Sequence, residues 1–77
     1  MTIEEYKKII DLKNADELIE IVRLARLSGD EKIVLEEADI YEKRLKEISS
    51  NYNIEPRKVD KLLNSARNKI IKRVFKK

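Results

Sequence analysis

An all-α fold is predicted by three features of the sequence. Apolar residues recur every three or four positions along most of the 77 residues, and no segment alternates β-branched with polar residues over the length of a strand. The chain has a single glycine and a single proline, so long segments contain no helix breaker. The segments between the apolar patterns are short, as in compact helical domains. We therefore expect one compact four-helix domain over residues 1–77.

The first predicted helix covers residues 3–13. Thr2 precedes it and Glu5 follows three residues later, which is the spacing of a capping box, where each side chain accepts a hydrogen bond from the other residue's backbone N–H. Three apolar residues then share one face at helical spacing: Ile3, Tyr6 and Ile10.

The second predicted helix covers residues 15–28, with Asn14 and Glu17 as its capping box. Its apolar residues occupy a wide arc: Leu18, Ile19, Ile21, Val22, Leu24 and Ala25. A wide arc indicates burial against several neighbours, so we expect this helix at the centre of the fold. Gly29 is expected to end it as a left-handed cap.

The third predicted helix covers residues 31–51, with Asp30 as its cap. Its apolar residues follow one another at spacings of three and four: Val34, Ala38, Tyr41, Leu45, Ile48 and Tyr52. No glycine or proline interrupts this pattern, so we expect one continuous helix about 31 Å long. All three tyrosines of the chain, Tyr6, Tyr41 and Tyr52, are expected in the core with their hydroxyl groups reaching water.

The fourth predicted helix covers residues 56–75. Pro56 suits its first turn, because the missing N–H of proline would have no helical partner there. The inner seam of this helix is predicted from five apolar residues, with Leu62 beside them: Val59, Leu63, Ala66, Ile70 and Val74.

The junction between the third and fourth predicted helices fits a helix-turn-helix. Ser49 is small at the point where the second helix of such a unit crosses close over the first. Asn53 tolerates the left-handed conformation that the turn requires, and Ile54 follows it as an apolar plug between the helices. Val59 and Leu62 then supply apolar anchors three residues apart.

This unit, over residues 45–70, resembles a known superfamily. The segment KEISSNYNIEPRKVDKLLNSARNKI is similar to the helix-turn-helix of LuxR-type response-regulator output domains and of the promoter-binding domain of sigma factors. The resemblance implies that Asn53 and Ile54 form the turn and that a DNA-recognition helix begins at residues 57–63. Those domains have a turn before their first motif helix, whereas the apolar seam of this chain predicts none.

The charge is distributed unevenly along the chain. Residues 1–55 contain fourteen acidic and nine basic side chains, whereas residues 56–77 contain nine Lys and Arg against Asp60 alone. A basic element on an otherwise acidic body is typical of a protein that binds a polyanion. The alternative is a solvated basic segment that only keeps the protein soluble.

The outward face of the fourth predicted helix combines basic and amide side chains. In the major groove, Arg and Lys bind guanine and Asn binds adenine, whereas a face of lysine alone contacts only phosphates. One stripe at helical spacing consists of Arg57, Lys61, Asn64, Asn68 and Lys72. The remaining candidates for contact with nucleic acid are Lys58, Ser65, Lys69, Arg73 and Lys76.

The composition excludes most catalytic chemistry. Without His and Cys, neither Ser-His-Asp catalysis, nor Cys–His catalysis, nor a zinc site with those ligands is possible. A single glycine excludes a glycine-rich phosphate loop. Glu36, Glu37 and Asp39 form an acidic cluster that we interpret as a solvated helix face rather than a magnesium site. We therefore expect no enzymatic activity, no metal and no cofactor.

These observations predict a small nucleic-acid-binding protein, with DNA favoured over RNA. A transcriptional regulator is the first hypothesis, as a homodimer if it recognises a specific operator. The alternative is a non-catalytic accessory subunit of a larger nucleic-acid-processing complex such as a polymerase. Ile71 and Phe75 lie off the inner seam, and they either pack onto the first helix or contact a protein partner.

No membrane partner is expected. The apolar runs are too short to span a bilayer and the N-terminal residues lack a signal-peptide pattern, which predicts a cytoplasmic location. The charged fraction of 43%, without cysteine or glutamine, is typical of thermophilic proteins, and an AT-rich genome produces a similar composition.

Overall fold

A computed structural model describes residues 1–75 and is all-α, which confirms the predicted fold class. Over these residues the chain forms five α-helices and one π-helical turn: α1 Ile3–Asp11, α2 Ala15–Ala25, α3 Gly29–Leu35, the π-helical turn Glu36–Ile40, α4 Leu45–Tyr52 and α5 Pro56–Arg73. The fifth α-helix arises because the third predicted helix is divided in two. Among the described residues, no helix is long and apolar enough to cross a membrane.

The longest helix, α5, occupies the centre of the fold and packs against α1, α2, α3 and α4. Its predicted inner seam is confirmed, since Val59, Leu63, Ala66 and Ile70 are buried and Val74 is half-buried. The prediction that the second helix is central is therefore wrong.

On α2, four apolar residues form the buried stripe: Leu18, Ile21, Val22 and Ala25. Ile19 and Leu24 remain exposed, because the angular spacing of helical residues puts them on opposite flanks of that stripe. The wide apolar arc thus reflects one buried face with an exposed residue at each edge.

The first two helices begin as predicted. The backbone N–H of Thr2 donates to Glu5 Oε1 at 2.8 Å, and the backbone N–H of Glu5 donates to Thr2 Oγ1 at 3.2 Å. Asn14 and Glu17 form the same reciprocal pair at 3.0 and 2.9 Å. Both capping boxes are therefore confirmed.

The boundary between α2 and α3 differs from the prediction. A third capping box, formed by Ser28 and Glu31, starts α3 in place of Asp30. Gly29 is consequently the first residue of α3, and α2 ends instead at Arg26, which has a φ of 51°. Because the Ser28 box makes Gly29 the first helical residue of α3, the glycine does not have a positive φ and is not a left-handed cap.

The predicted continuous helix over residues 31–51 is wrong, because residues 41–44 are not helical. After α3 the backbone widens, and the N–H of Tyr41 donates to the carbonyl of Glu36 at 3.0 Å, five residues back. Glu42 then adopts a φ of 55°, which reverses the chain. An ion pair of 2.9 Å joins Lys43, within this break, to Glu37 of the π-helical turn.

The break also removes half of the apolar seam from the core. Val34 and Ile48 are fully buried, but Tyr41 is 61% exposed, and Leu45 and Tyr52 are also exposed. Because α4 begins in a new direction, its residues no longer continue the face that α3 presents. The expectation that Tyr41 and Tyr52 are core residues is therefore wrong.

Candidate nucleic-acid interface

The turn that the sequence predicts near Asn53 lies between α4 and α5. Asn53 ends α4 with φ 53° and ψ 46°, which confirms its predicted left-handed conformation. The N–H of Ile54 then donates to the carbonyl of Ser49 at 3.0 Å, and the hydroxyl of Ser49 donates to the carbonyl of Ile54. These reciprocal bonds fix the turn, and Pro56 begins α5 as predicted.

The basic and amide stripe of α5 faces solvent. All five of its residues are exposed: Arg57, Lys61, Asn64, Asn68 and Lys72. At about 100° per residue, the mean direction of this stripe is nearly opposite to the buried seam. Its residues extend over about 22 Å at 1.5 Å per residue.

In the N-terminal half of α5, residues 56–64, the basic side chains are exposed to solvent. Arg57, Lys58 and Lys61 are exposed, and none forms an ion pair within residues 1–75. The residue that precedes the helix, Glu55, makes no side-chain hydrogen bond to it, whereas α1, α2 and α3 all start with a capping box. The first N–H groups of α5 consequently remain available to an acceptor from outside.

The C-terminal half of α5, residues 65–73, uses several predicted binding residues inside the molecule. Ser65 donates a hydrogen bond to Glu31 Oε2, and Lys69 Nζ lies 2.7 Å from Glu31 Oε1. Glu31 is only 4% exposed. Burial opposes its ionisation, but the bonds from Lys69, Ser65 and Ser28 outweigh that effect and lower the pKa of Glu31 to about 2.

A second contact joins α5 to α1 and the π-helical turn. Arg67 donates to Asp39 through Nε at 3.1 Å and Nη2 at 2.6 Å, and the hydroxyl of Tyr6 donates to the same carboxylate at 2.8 Å. Burial, together with the negative charge of Asp39, raises the pKa of the Tyr6 hydroxyl above its ordinary value. The Tyr6 hydroxyl is thus bonded to protein instead of water.

The acidic cluster of the third predicted helix is not a solvated face. Asp39 holds Arg67 and Tyr6, and Glu37 is buried against Lys43. The solvated-face interpretation is therefore wrong for these two residues. Within residues 1–75, no group of three or more acidic side chains is arranged to hold a metal ion.

Arg73 and the apolar residues Ile71 and Phe75 also contact the rest of the fold. Arg73 Nη1 donates to the backbone carbonyls of Ala25 at 2.8 Å and Arg26 at 3.2 Å, so it satisfies acceptors at the end of α2. Ile71 and Phe75 are half-buried against the core, and the Phe75 ring centroid lies 6.1 Å from that of Tyr6. These contacts favour internal packing over a partner contact for both residues. Lys76 lies outside the described residues.

Sequence reasoning missed Arg67 and the roles of Glu31 and Asp39. The Ser28–Glu31 spacing was a readable signal for a capping box. No residue near Glu31 in the sequence indicates that its carboxylate also binds two side chains of α5, which are more than thirty residues away. Neither a protein-family model, nor a curated protein, nor a solved structure matches the chain.

Proposed function

We propose that the chain binds duplex DNA through the exposed face of the N-terminal half of α5, as a small helix-turn-helix transcriptional regulator. The observation that carries the proposal is the segregation of side chains on one helix. The basic side chains of residues 56–64 face solvent, whereas most polar side chains of residues 65–73 form hydrogen bonds or ion pairs with other parts of the fold. A helix that is held by polar contacts at its C-terminal end and exposes cations at its N-terminal end can present the N-terminal end to a groove.

The N-terminal half of α5 carries side chains suited to base edges. Arg57 and Lys61 can donate to O6 and N7 of guanine, and Asn64 can bind N6 and N7 of adenine. Lys58, on the flank of the stripe, is suited to the phosphate backbone, and the uncapped start of α5 favours an anion as well. This set of donors supports sequence readout in addition to charge attraction.

The chain break at residues 41–44 supports the resemblance to response-regulator and sigma-factor domains. Those domains have a turn before their first motif helix, and this chain has one immediately before α4. The helix that precedes the break, α3, packs against α5 and supports it from behind.

The proposal is tested by measuring duplex affinity at two salt concentrations, together with the mass of the protein in solution. Replacing Arg57 by Ala should weaken binding to a preferred duplex by roughly 1–3 kcal/mol, and binding to random duplex by less. Replacing Lys58 by Ala should flatten the dependence of log affinity on log salt by about one unit for every sequence. Equal losses for both variants on all sequences would contradict the regulator and leave only backbone binding.

The second candidate is a non-catalytic accessory subunit of a nucleic-acid-processing complex. The exposure of Tyr41, Leu45 and Tyr52 on and beside α4 favours it, because a protein partner would remove these apolar side chains from water. A monomer without duplex affinity would support this candidate over the regulator.

A further inference from the structure

Asp60 lies at the edge of the proposed DNA-binding face. It is the only acidic residue from Pro56 to the end of the sequence, and it is exposed. It lies three residues after Arg57 and four before Asn64, so its side chain is a neighbour of both on the helix surface. Within residues 1–75, no ion pair involves Asp60.

Asp60 does not contribute to holding the fold together. Its side chain lies away from the buried seam, whereas Asp39 and Glu31 each hold residues of α5. It is the fifth residue of α5, beyond the first turn in which a carboxylate interacts favourably with the helix dipole. A carboxylate at this position therefore adds little to the stability of the helix.

On a face that approaches DNA, such a carboxylate has two opposite effects. It repels phosphate, so it lowers affinity for any duplex. It also accepts a hydrogen bond from the exocyclic N4 amine of cytosine in the major groove, a donor that the phosphate backbone does not offer. A side chain that weakens binding to every duplex and forms a hydrogen bond with one base increases the difference in affinity between the preferred sequence and all others.

We infer that Asp60 determines the specificity of this face by accepting a hydrogen bond from cytosine N4 and by opposing contact with phosphate. The inference rests on the proposed function. It adds that the protein discriminates among duplex sequences and that its preferred site contains a cytosine opposite the second turn of α5.

The test compares the wild type with Asp60→Asn, and with Asp16→Asn as a control for charge. Asp16 is exposed in the first turn of α2, so its replacement makes the same change in net charge away from α5. Each protein is used to select from a randomised duplex pool, and its affinity is then measured for the selected duplex and for a scrambled one at one salt concentration. Thermal unfolding of each variant confirms that the fold is retained.

We expect Asp60→Asn to bind the scrambled duplex more tightly than the wild type and to lose preference for the selected duplex by about fivefold or more. The selected cytosine should be replaced by adenine, which pairs with Asn. Asp16→Asn should keep the wild-type preference. If Asp60→Asn raises both affinities by one factor and retains the cytosine, the inference is overturned and the proposed function stands. If the wild type binds no duplex, the proposed function itself fails, and the inference with it.

Discussion

The two halves of α5 are both basic, but their basic side chains differ in what they contact. In residues 65–73, Arg67, Lys69 and Arg73 bind three different sets of acceptors, namely Asp39, Glu31 and the carbonyls that end α2. In residues 56–64, the basic side chains face solvent without an ion pair among the described residues. A run of basic residues is therefore a poor guide to function until the acidic residues that face it are known. The variants below should separate the two halves, one through stability and the other through binding.

The largest effect is expected at the contact between Asp39 and Arg67. Both side chains are about nine-tenths buried, with exposures of 10% and 11%. Replacing Asp39 by Ala leaves the Arg67 guanidinium and the Tyr6 hydroxyl without their acceptor, so the free energy of unfolding should fall by about 3–5 kcal/mol. Urea denaturation measures this loss. Lys61→Ala is the control in the other half and should change stability by less than about 0.5 kcal/mol. Equal, small losses for both variants would contradict the division of α5.

The next effect concerns pH and Glu31. Its pKa of about 2 in the folded protein lies below its ordinary value of 4.5, so the folded state binds this proton less readily than the unfolded state does. The stabilisation is fully present above pH 4.5 and is lost as the pH falls toward 2. Over that interval the wild type should lose roughly 1–3 kcal/mol more than Glu31→Gln, which has no carboxyl group at this position. Parallel curves of unfolding free energy against pH for the two proteins would contradict the contact.

A smaller effect is expected at the turn that aims the N-terminal half of α5. Asn53 has a φ of 53°, which a β-branched residue adopts only at a cost. Replacing Asn53 by Val should lower the free energy of unfolding by about 1–2 kcal/mol. Replacing it by Gly should be neutral or stabilising, because glycine adopts this conformation without a steric penalty. A stable valine variant would show that the turn tolerates another backbone conformation.

The sequence predicts this fold best where the determinants are local. Capping residues such as Thr2 and Asn14, the proline at the start of α5 and the left-handed Asn53 all act within a few residues of their own position. Apolar periodicity likewise predicted the buried seam of α5.

The prediction failed where distant side chains decide the conformation. Residues 41–44 contain neither glycine nor proline, yet the helix ends there, just after Asp39, which is bonded to Arg67 and Tyr6, 28 and 33 residues away in the sequence. The candidate site shows the same limit. The sequence made Lys69 a candidate for contact with nucleic acid, and only the fold reveals that it binds Glu31.

The salt dependence of duplex affinity for Lys61→Ala and Lys69→Ala tests the division of α5 most directly. Both variants remove one lysine from the same helix, so their net charges are identical. If Lys61 contacts phosphate or a base edge and Lys69 binds Glu31, Lys61→Ala should flatten the slope of log affinity against log salt by about one unit. Lys69→Ala should keep the wild-type slope and lower only the stability of the fold. Equal slopes for the two variants, both flatter than the wild type, would contradict this account, because the duplex would then respond to total charge and not to the free half of the helix.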